Sequence, residues 1–306
     1  MFDRTAFIEG PAIAVYDSTV MYIPDSFELV PDIRTFEVPV SSFGDVDKRR
    51  DTIVWSCQFT PYGKAGLISK LLPYLNPTRG TSIYGATDKT IVIHSHAGQR
   101  VTIHGAGIAQ QPDLILSAVD PLWGPVTVTA IGKKAVAWDN ASRFAEISAT
   151  AFSDTSFDPD DIITQPYTLA WGASSPWDAI AFDGPVTISS QIELYAKNTN
   201  ADGLVDQRIS QVKFTASFRP QGISEAQLLA LAATQDTGVV RGSSMRGNAN
   251  NLVATGANGV VYTLFQTTPT QIPFVYGDQE ERAGELVFET IRKIASGVPT
   301  ALMSVA

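Results

Sequence analysis

V-D-K-R-R-D-T-I-V-W-S-C-Q-F occupies residues 46–59 and runs on into T-P-Y-G, while V-D-Q-R-I-S-Q-V-K-F-T-A-S-F occupies residues 205–218 and runs on into R-P-Q-G. Both fit V-D-x-R, then an alternating stretch, then F-x-P-x-G. The spacing holds without a gap: Asp47 to Asp206, Phe59 to Phe218 and Gly63 to Gly222 are each 159 residues. A strand sends every second side chain to one face. Ile53, Trp55, Cys57 and Phe59 therefore share a face, and Val212, Phe214, Ala216 and Phe218 take the matching positions. Each apolar residue replaces another, whereas the opposite positions, Thr52, Val54, Ser56 and Gln58 in the first copy, drift freely. Two strands with one buried face and one exit imply a domain built twice.

Composition agrees. A chain of 306 residues suggests two domains, and 44% hydrophobic with 17% charged content is that of a soluble globular protein with real cores. No run is long and apolar enough to span a membrane, and M-F-D-R-T-A-F lacks the basic and apolar regions of a signal peptide. The single cysteine rules out an internal disulfide and fits a reducing compartment. A net charge of −9 argues against a basic surface that grips nucleic acid.

Along the chain the repeat extends outward from its core strand. Gly10-Pro11 and Gly184-Pro185 each open a strand-like run, at an offset of 174 residues. Set against 159, that offset implies an extra apolar loop near residues 16–31 of the first copy. Its apolar load exceeds what a free loop tolerates, so Met21–Val30 is expected to make contacts between subunits or between rings, the alternative being that it covers its own domain. A helix is expected after each F-x-P-x-G. In the second copy Ser224 can cap it, Gln227 can complete a capping box, and Ile223 can staple to Leu228. Leu67, Leu71 and Leu72 match Ala226, Ala230 and Leu231 as a buried stripe. Both helices lead to R-G-[TS]-S, at 79–82 and 241–244, and then to a hairpin, turning at Ala97-Gly98 and at Asn258-Gly259. Strands at Asp113–Val119 with Val126–Ile131, and at Pro273–Tyr276 with Leu286–Ile291, close the copies. The expected fold is mainly β with α: two tandem copies of a β-sandwich or barrel flanked by one helix. The first domain spans 1–132, a connector with a strand or two (Lys134–Trp138, Tyr167–Trp171) spans 133–176, and the second domain spans 177–306, ending in a flexible or docked arm.

Chemistry-bearing residues offer no enzyme and no cofactor site. Folding the first hairpin about Ala97-Gly98 sets His96 opposite Gln99, His94 opposite Val101 and His104 opposite Ile91. His104 then points away from the other two, so the three cannot share a metal ion. Cys57 lies between Trp55 and Phe59 on the apolar face, as a small core residue with no base beside it. D-T-S-F-D-P-D-D (154–161) lacks the glycine and closing glutamate of an EF-hand and reads as a solvated connector. Gly105-Ala-Gly107 has Gln110 where a dinucleotide fingerprint needs its third glycine, and Gly63-Lys64 lacks the upstream P-loop glycine.

Four stretches carry a family resemblance: F-T-P-Y-G (59–63), L-L-P-Y-L-N-P-T-R-G-T-S-I-Y-G (71–85), T-I-V-I-H (90–94) and Q-P-D-L-I-L-S (111–117). Their wording resembles the tail tube proteins of long-tailed phages, most strongly in the first half. That resemblance implies a self-assembling virion structural protein whose rings stack into a channel for DNA ejection. In the family six copies of the tube domain line the channel. The duplicated domain resembles the subgroup that makes trimeric, pseudo-hexameric rings. Its implied partners are itself, other tail proteins and DNA passing without specific binding. Its implied location is the virion tail, after assembly in the host cytoplasm. A basic-poor chain suits a lumen that must not hold DNA. Two alternatives stand beside it. One is a distal tail or terminator protein of the same fold. The other is a carbohydrate-binding double β-sandwich, for which Trp123, Trp138, Trp171 and Trp177 would be the aromatic platforms.

Overall fold

Both copies of the repeated stretch form the middle strand of a three-strand unit in the computed structural model of the chain. It describes residues 12–24, 27–42, 44–62, 65–85, 88–95, 98–119, 122–133, 143–150, 165–199, 203–236, 244–274, 284–292, 294–295, 298–299 and 301–306. The first half contains β1 (Ala12–Tyr16), β2 (Thr19–Tyr22), β3 (Glu28–Val40), β4 (Gly44–Phe59), the one-turn helix α1 (Ile68–Leu71), β5 (Thr90–Ser95), β6 (Gln99–His104), β7 (Ala106–Gln110), β8 (Leu114–Leu116), β9 (Val126–Ala130) and β10 (Ala145–Ala149). The second contains β11 (Tyr167–Trp171), β12 (Ala181–Thr199), β13 (Gly203–Gln221), α2 (Glu225–Asp236), β14 (Asn250–Gly256), β15 (Val261–Gln271), β16 (Leu286–Thr290), the short β17 (Ile294–Ala295) and β18 (Val298–Pro299), and β19 (Met303–Val305). The protein is mainly β with a little α.

Strand pairing makes the duplication explicit. β4 lies between β3 and β9, and β13 lies between β12 and β16. Leu29 opposes Cys57 and Ile188 opposes Ala216; Ile33 opposes Ile53 and Ile192 opposes Val212. The offset is thus 159 on both strands. Even the irregularities repeat. The first ladder slips between Arg34 and Thr35 and between Val38 and Pro39. The second slips between Glu193 and Leu194 and between Lys197 and Asn198. Bulges bend and twist a ribbon, so repeating both gives the two long hairpins one shape.

The outer strands match as well. β1 pairs with β5 as β11 pairs with β14, and β10 pairs with β6 as β19 pairs with β15. In the first half one strand is divided at Gly105 into β6 and β7, whereas β15 runs on through Gln266. Both corner residues are left-handed, Gly105 at φ 66° and Gln266 at φ 48°. This corner lets one strand serve two sheets.

Val212, Phe214, Ala216 and Phe218 are buried, as the alternation requires. Phe218 stacks on Phe288 at 5.6 Å between ring centres. In the first copy Cys57 and Phe59 are buried, but Ile53 and Trp55 are only half-buried, and Thr52 and Val54 on the opposite face are buried too. At Thr52 the physical reason is a neighbour: Gly203, where β13 begins, lies against Asp51 and Thr52.

Several expectations need correction. Among the described residues of 16–31 there is no inserted loop. They form the β1–β2 turn, with Asp17 and Ser18 both left-handed, then β2 and the start of β3. Met21 and Ile23 are buried in the chain's own core, and Phe27 stacks on Phe59. The error came from equating the two Gly-Pro pairs; the strand matching β1 is β11, and the second copy has the longer turn after it. Hence 133–176 is more than a connector, since β10 completes the first copy and β11 opens the second, while Lys134–Trp138 lies outside the described residues. The C-terminal stretch is not an arm where it is described: Leu302 and Met303 are buried, and β19 pairs with β15.

The helices differ in length. α2 has 12 residues and α1 has four. At α2 the capping box forms, with Gln227 N–H donating to Ser224 Oγ at 3.3 Å and Ser224 N–H donating to Gln227 Oε1 at 2.8 Å. Leu67, Leu71 and Leu72 are buried and so is Leu231, as expected, yet Ala226 and Ala230 are exposed, and Leu228 joins Leu231 on the buried face of α2. Both hairpins are one residue out of the expected register, because each turn ends in a left-handed glycine. Gly98 N–H donates to Ser95 O, Gly259 N–H donates to Gly256 O, and the glycines have φ 78° and 87°. Such a three-residue turn sets His94 opposite Arg100, where a two-residue turn would set it opposite Val101.

Truncating Phe214 to Ala should destabilise the protein by about 3–5 kcal/mol in urea unfolding, since the ring is fully enclosed. Val119→Ala, at a residue 82% exposed, should change stability by less than about 0.5 kcal/mol.

Candidate assembly interface

Residues singled out for chemistry do not converge. His94 and His104 lie on the same face of the β5–β6 ladder, not on opposite faces, because His104 opposes Thr90. Four positions along a strand still part them by roughly 13 Å. His104 is buried, its Nε2 lies 3.1 Å from Glu146 Oε1, and burial lowers its pKa. Cys57 is buried and burial pushes its thiol up to about 12. Gly107 approaches the Ile83 carbonyl so closely that a Cβ would lie 2.5 Å from it, a packing role. Among the described residues no three His, Cys, Asp or Glu side chains group as metal ligands. His96, Gly63-Lys64, Asp154–Asp161 and Trp138 lie outside them. Of the other tryptophans, Trp123 and Trp171 are buried; Trp171 Nε1 donates to Thr267, and Trp177 meets the Trp171 ring edge-on at 6.1 Å. Trp123, Trp171 and the half-buried Trp177 thus pack against the fold.

The arrangement with most specific geometry is the seam between the two copies. β8, from the first half, pairs with the outer edge of β12 over three residues: Leu114 opposes Ile188 and Leu116 opposes Val186. As expected, this segment also folds back within its own copy, where Leu114 bridges Trp123, Ile115 N–H donates to Leu122 O and Gly124 N–H donates to Asp113 O, both at 2.8 Å. The pairing with the second copy is what the sequence reading lacked. A strand edge is a row of unpaired backbone groups, and here the neighbouring copy pairs it.

The seam continues along β13. Gly80 N–H donates to Ile209 O at 2.8 Å, Ile209 N–H to Thr81 O at 2.9 Å and Ile83 N–H to Gln207 O at 3.0 Å. The hydroxyl of Ser82 donates to Asp206, whose other oxygen accepts from Arg208 Nε at 2.8 Å. Tyr84 donates to Gln207 Oε1 at 2.7 Å, and Gln110 Nε2 to the Ser190 carbonyl at 2.7 Å. From the other side, Arg292 reaches Pro77 O and Leu302 N–H reaches Asn76.

The two repeated polar motifs therefore meet. R-G-T-S of the first copy contacts V-D-Q-R of the second through main-chain and side-chain bonds. Both motifs were visible as repeats, but no periodicity marks two segments 124 residues apart as partners. The junction is heterologous, because each copy contributes a different surface.

No family model matches the chain, and no curated protein matches it in sequence.

Asp206→Ala should destabilise the single chain by about 1.5–3 kcal/mol, because Ser82 and Arg208 lose a buried charged partner. Asp47→Ala, at the same place in the first copy but with a side chain 50% exposed, should leave the unfolding midpoint nearly unchanged. Urea unfolding of dilute protein reads both.

Proposed function

We propose that this chain is a tail tube protein of a long-tailed phage. Three copies would close into a pseudo-hexameric ring, and stacked rings would form the conduit for DNA. The observation that carries the reading is the heterologous seam between two copies of one β unit. A heterologous contact leaves a donor face at one end and an acceptor face at the other, and repeating it gives a closed ring or an open filament. The resemblance of residues 59–63, 71–85, 90–94 and 111–117 to the tube family selects the tube. The net charge of −9 supports a passage that does not retain phosphate, since each neutralised phosphate would release counterions and add affinity. On this reading the protein resides in the virion tail, with itself and other tail proteins as partners.

Negative-stain microscopy of the purified protein, concentrated stepwise, tests this. Hollow tubes built of rings with three chains are expected. Protein that stays monomeric at every concentration overturns the reading, as does a channel lined chiefly by Lys and Arg. Single rings that never elongate would instead indicate the terminator or distal tail alternative.

A further inference from the structure

Each surface that the seam joins within the chain has a second version left unjoined. On the acceptor side, Asp47 and Arg49 repeat the Asp206–Arg208 clamp, with Arg49 Nε donating to Asp47 Oδ2 at 2.9 Å. No serine reaches Asp47 among the described residues, and the pair stands in solvent. On the donor side, Ser82 accepts from Tyr84 N–H at 3.2 Å, and Ser244 accepts from Arg246 N–H at 3.3 Å. Ser82 is on the seam, whereas Ser244 is exposed. Next to them, Ile83 is 4% exposed within the seam and its counterpart Met245 is 45% exposed.

Sheet edges tell the same story. β3 is the outermost strand of its sheet, whereas its counterpart β12 carries β8. Gln271 of β15 stands in the place of Gln110 and is exposed, as is Pro31, which matches Ser190. Finally, Gly203 is held against Asp51 and Thr52. The matching positions on β13, Ser210 and Gln211, line an open groove of about 640 Å³.

We propose that a second copy of this chain docks head to tail on the first, reproducing the internal seam: Ser244 on Asp47, Met245 N–H on the Lys48 carbonyl, Gln271 on the Pro31 carbonyl, and the start of β4 in the groove beside Ser210 and Gln211. Phe274, which matches Leu114, then meets the β3 edge at Leu29. This deepens the ring reading above, naming its chain-to-chain contact. One contact does not carry over: Arg246 and Lys48 replace Tyr84 and Gln207, and Arg246 is already turned inward to Gln266 and the Arg292 carbonyl. The seam between chains is thus the more polar one, suited to chains that are soluble before they join.

Mixing an Asp47→Cys chain with a Ser244→Cys chain and adding a short bis-maleimide tests the contact. Cys57 stays silent because it is buried. A cross-linked dimer is expected from the mixture and from neither variant alone. Asp47→Lys, an exposed change that keeps the fold by circular dichroism, should raise the concentration for half-assembly by about tenfold or more. Assembly without the 47–244 cross-link overturns this contact and leaves the tube reading standing. The cross-link without tubes supports the contact and overturns the tube. Neither cross-link nor assembly overturns both.

Discussion

A β-strand carries hydrogen-bonding groups on both edges, and the outer edge of β12 would leave a row of them without protein partners. β8 meets that demand by pairing outside its own copy. The same side of the second copy takes further contacts from the first: Gly80–Ile83 lie on β13, Gln110 meets Ser190, and Gly203, where β13 begins, lies against Asp51 and Thr52. The burial of Thr52, on the face the alternation assigns to solvent, accompanies that contact.

Within each copy the constraint is cross-strand packing. The residues that must interlock are replaced only by apolar ones: Cys57 opposes Leu29 and Val128, while Ala216 opposes Ile188 and Phe288. A smaller residue on the middle strand is offset by a larger one on its neighbour, keeping the layer filled. Helices are freer, because α1 and α2 cover the core at one place and can differ threefold in length without disturbing a ladder.

Much of this was legible from residues alone. Period-two alternation at 53–59 and 212–218 marks the central strands, and Ser224 with Gln227 marks the start of α2, because strand faces and caps are local physics. What escaped was non-local or hung on one dihedral. Gly10-Pro11 resembles Gly184-Pro185 in letters, but only pairing tells that β1 answers to β11. A left-handed Gly98 or Gly259 shifts a register by one residue without changing composition. The second partner of β8 could not be seen, since nothing in L-I-L names the strand on its other edge. The seam motifs V-D-x-R and R-G-[TS]-S were in view as repeats; their meeting was not.

Joining the two copies in one polypeptide has a kinetic and entropic consequence. Within the chain the tether holds donor and acceptor faces at a high effective concentration, so half of the seams in the proposed ring form during folding, independent of dilution. Of the remaining seams, all but the closing one carry the loss of translational and rotational freedom, roughly 4–15 kcal/mol for each association. A ring of chains carrying a single copy would lose that freedom at every junction but the closing one. In the proposed ring covalent pairing would therefore lower the threshold concentration for closure and exclude rings with an odd number of units, so that the internal seam would act as a counting device.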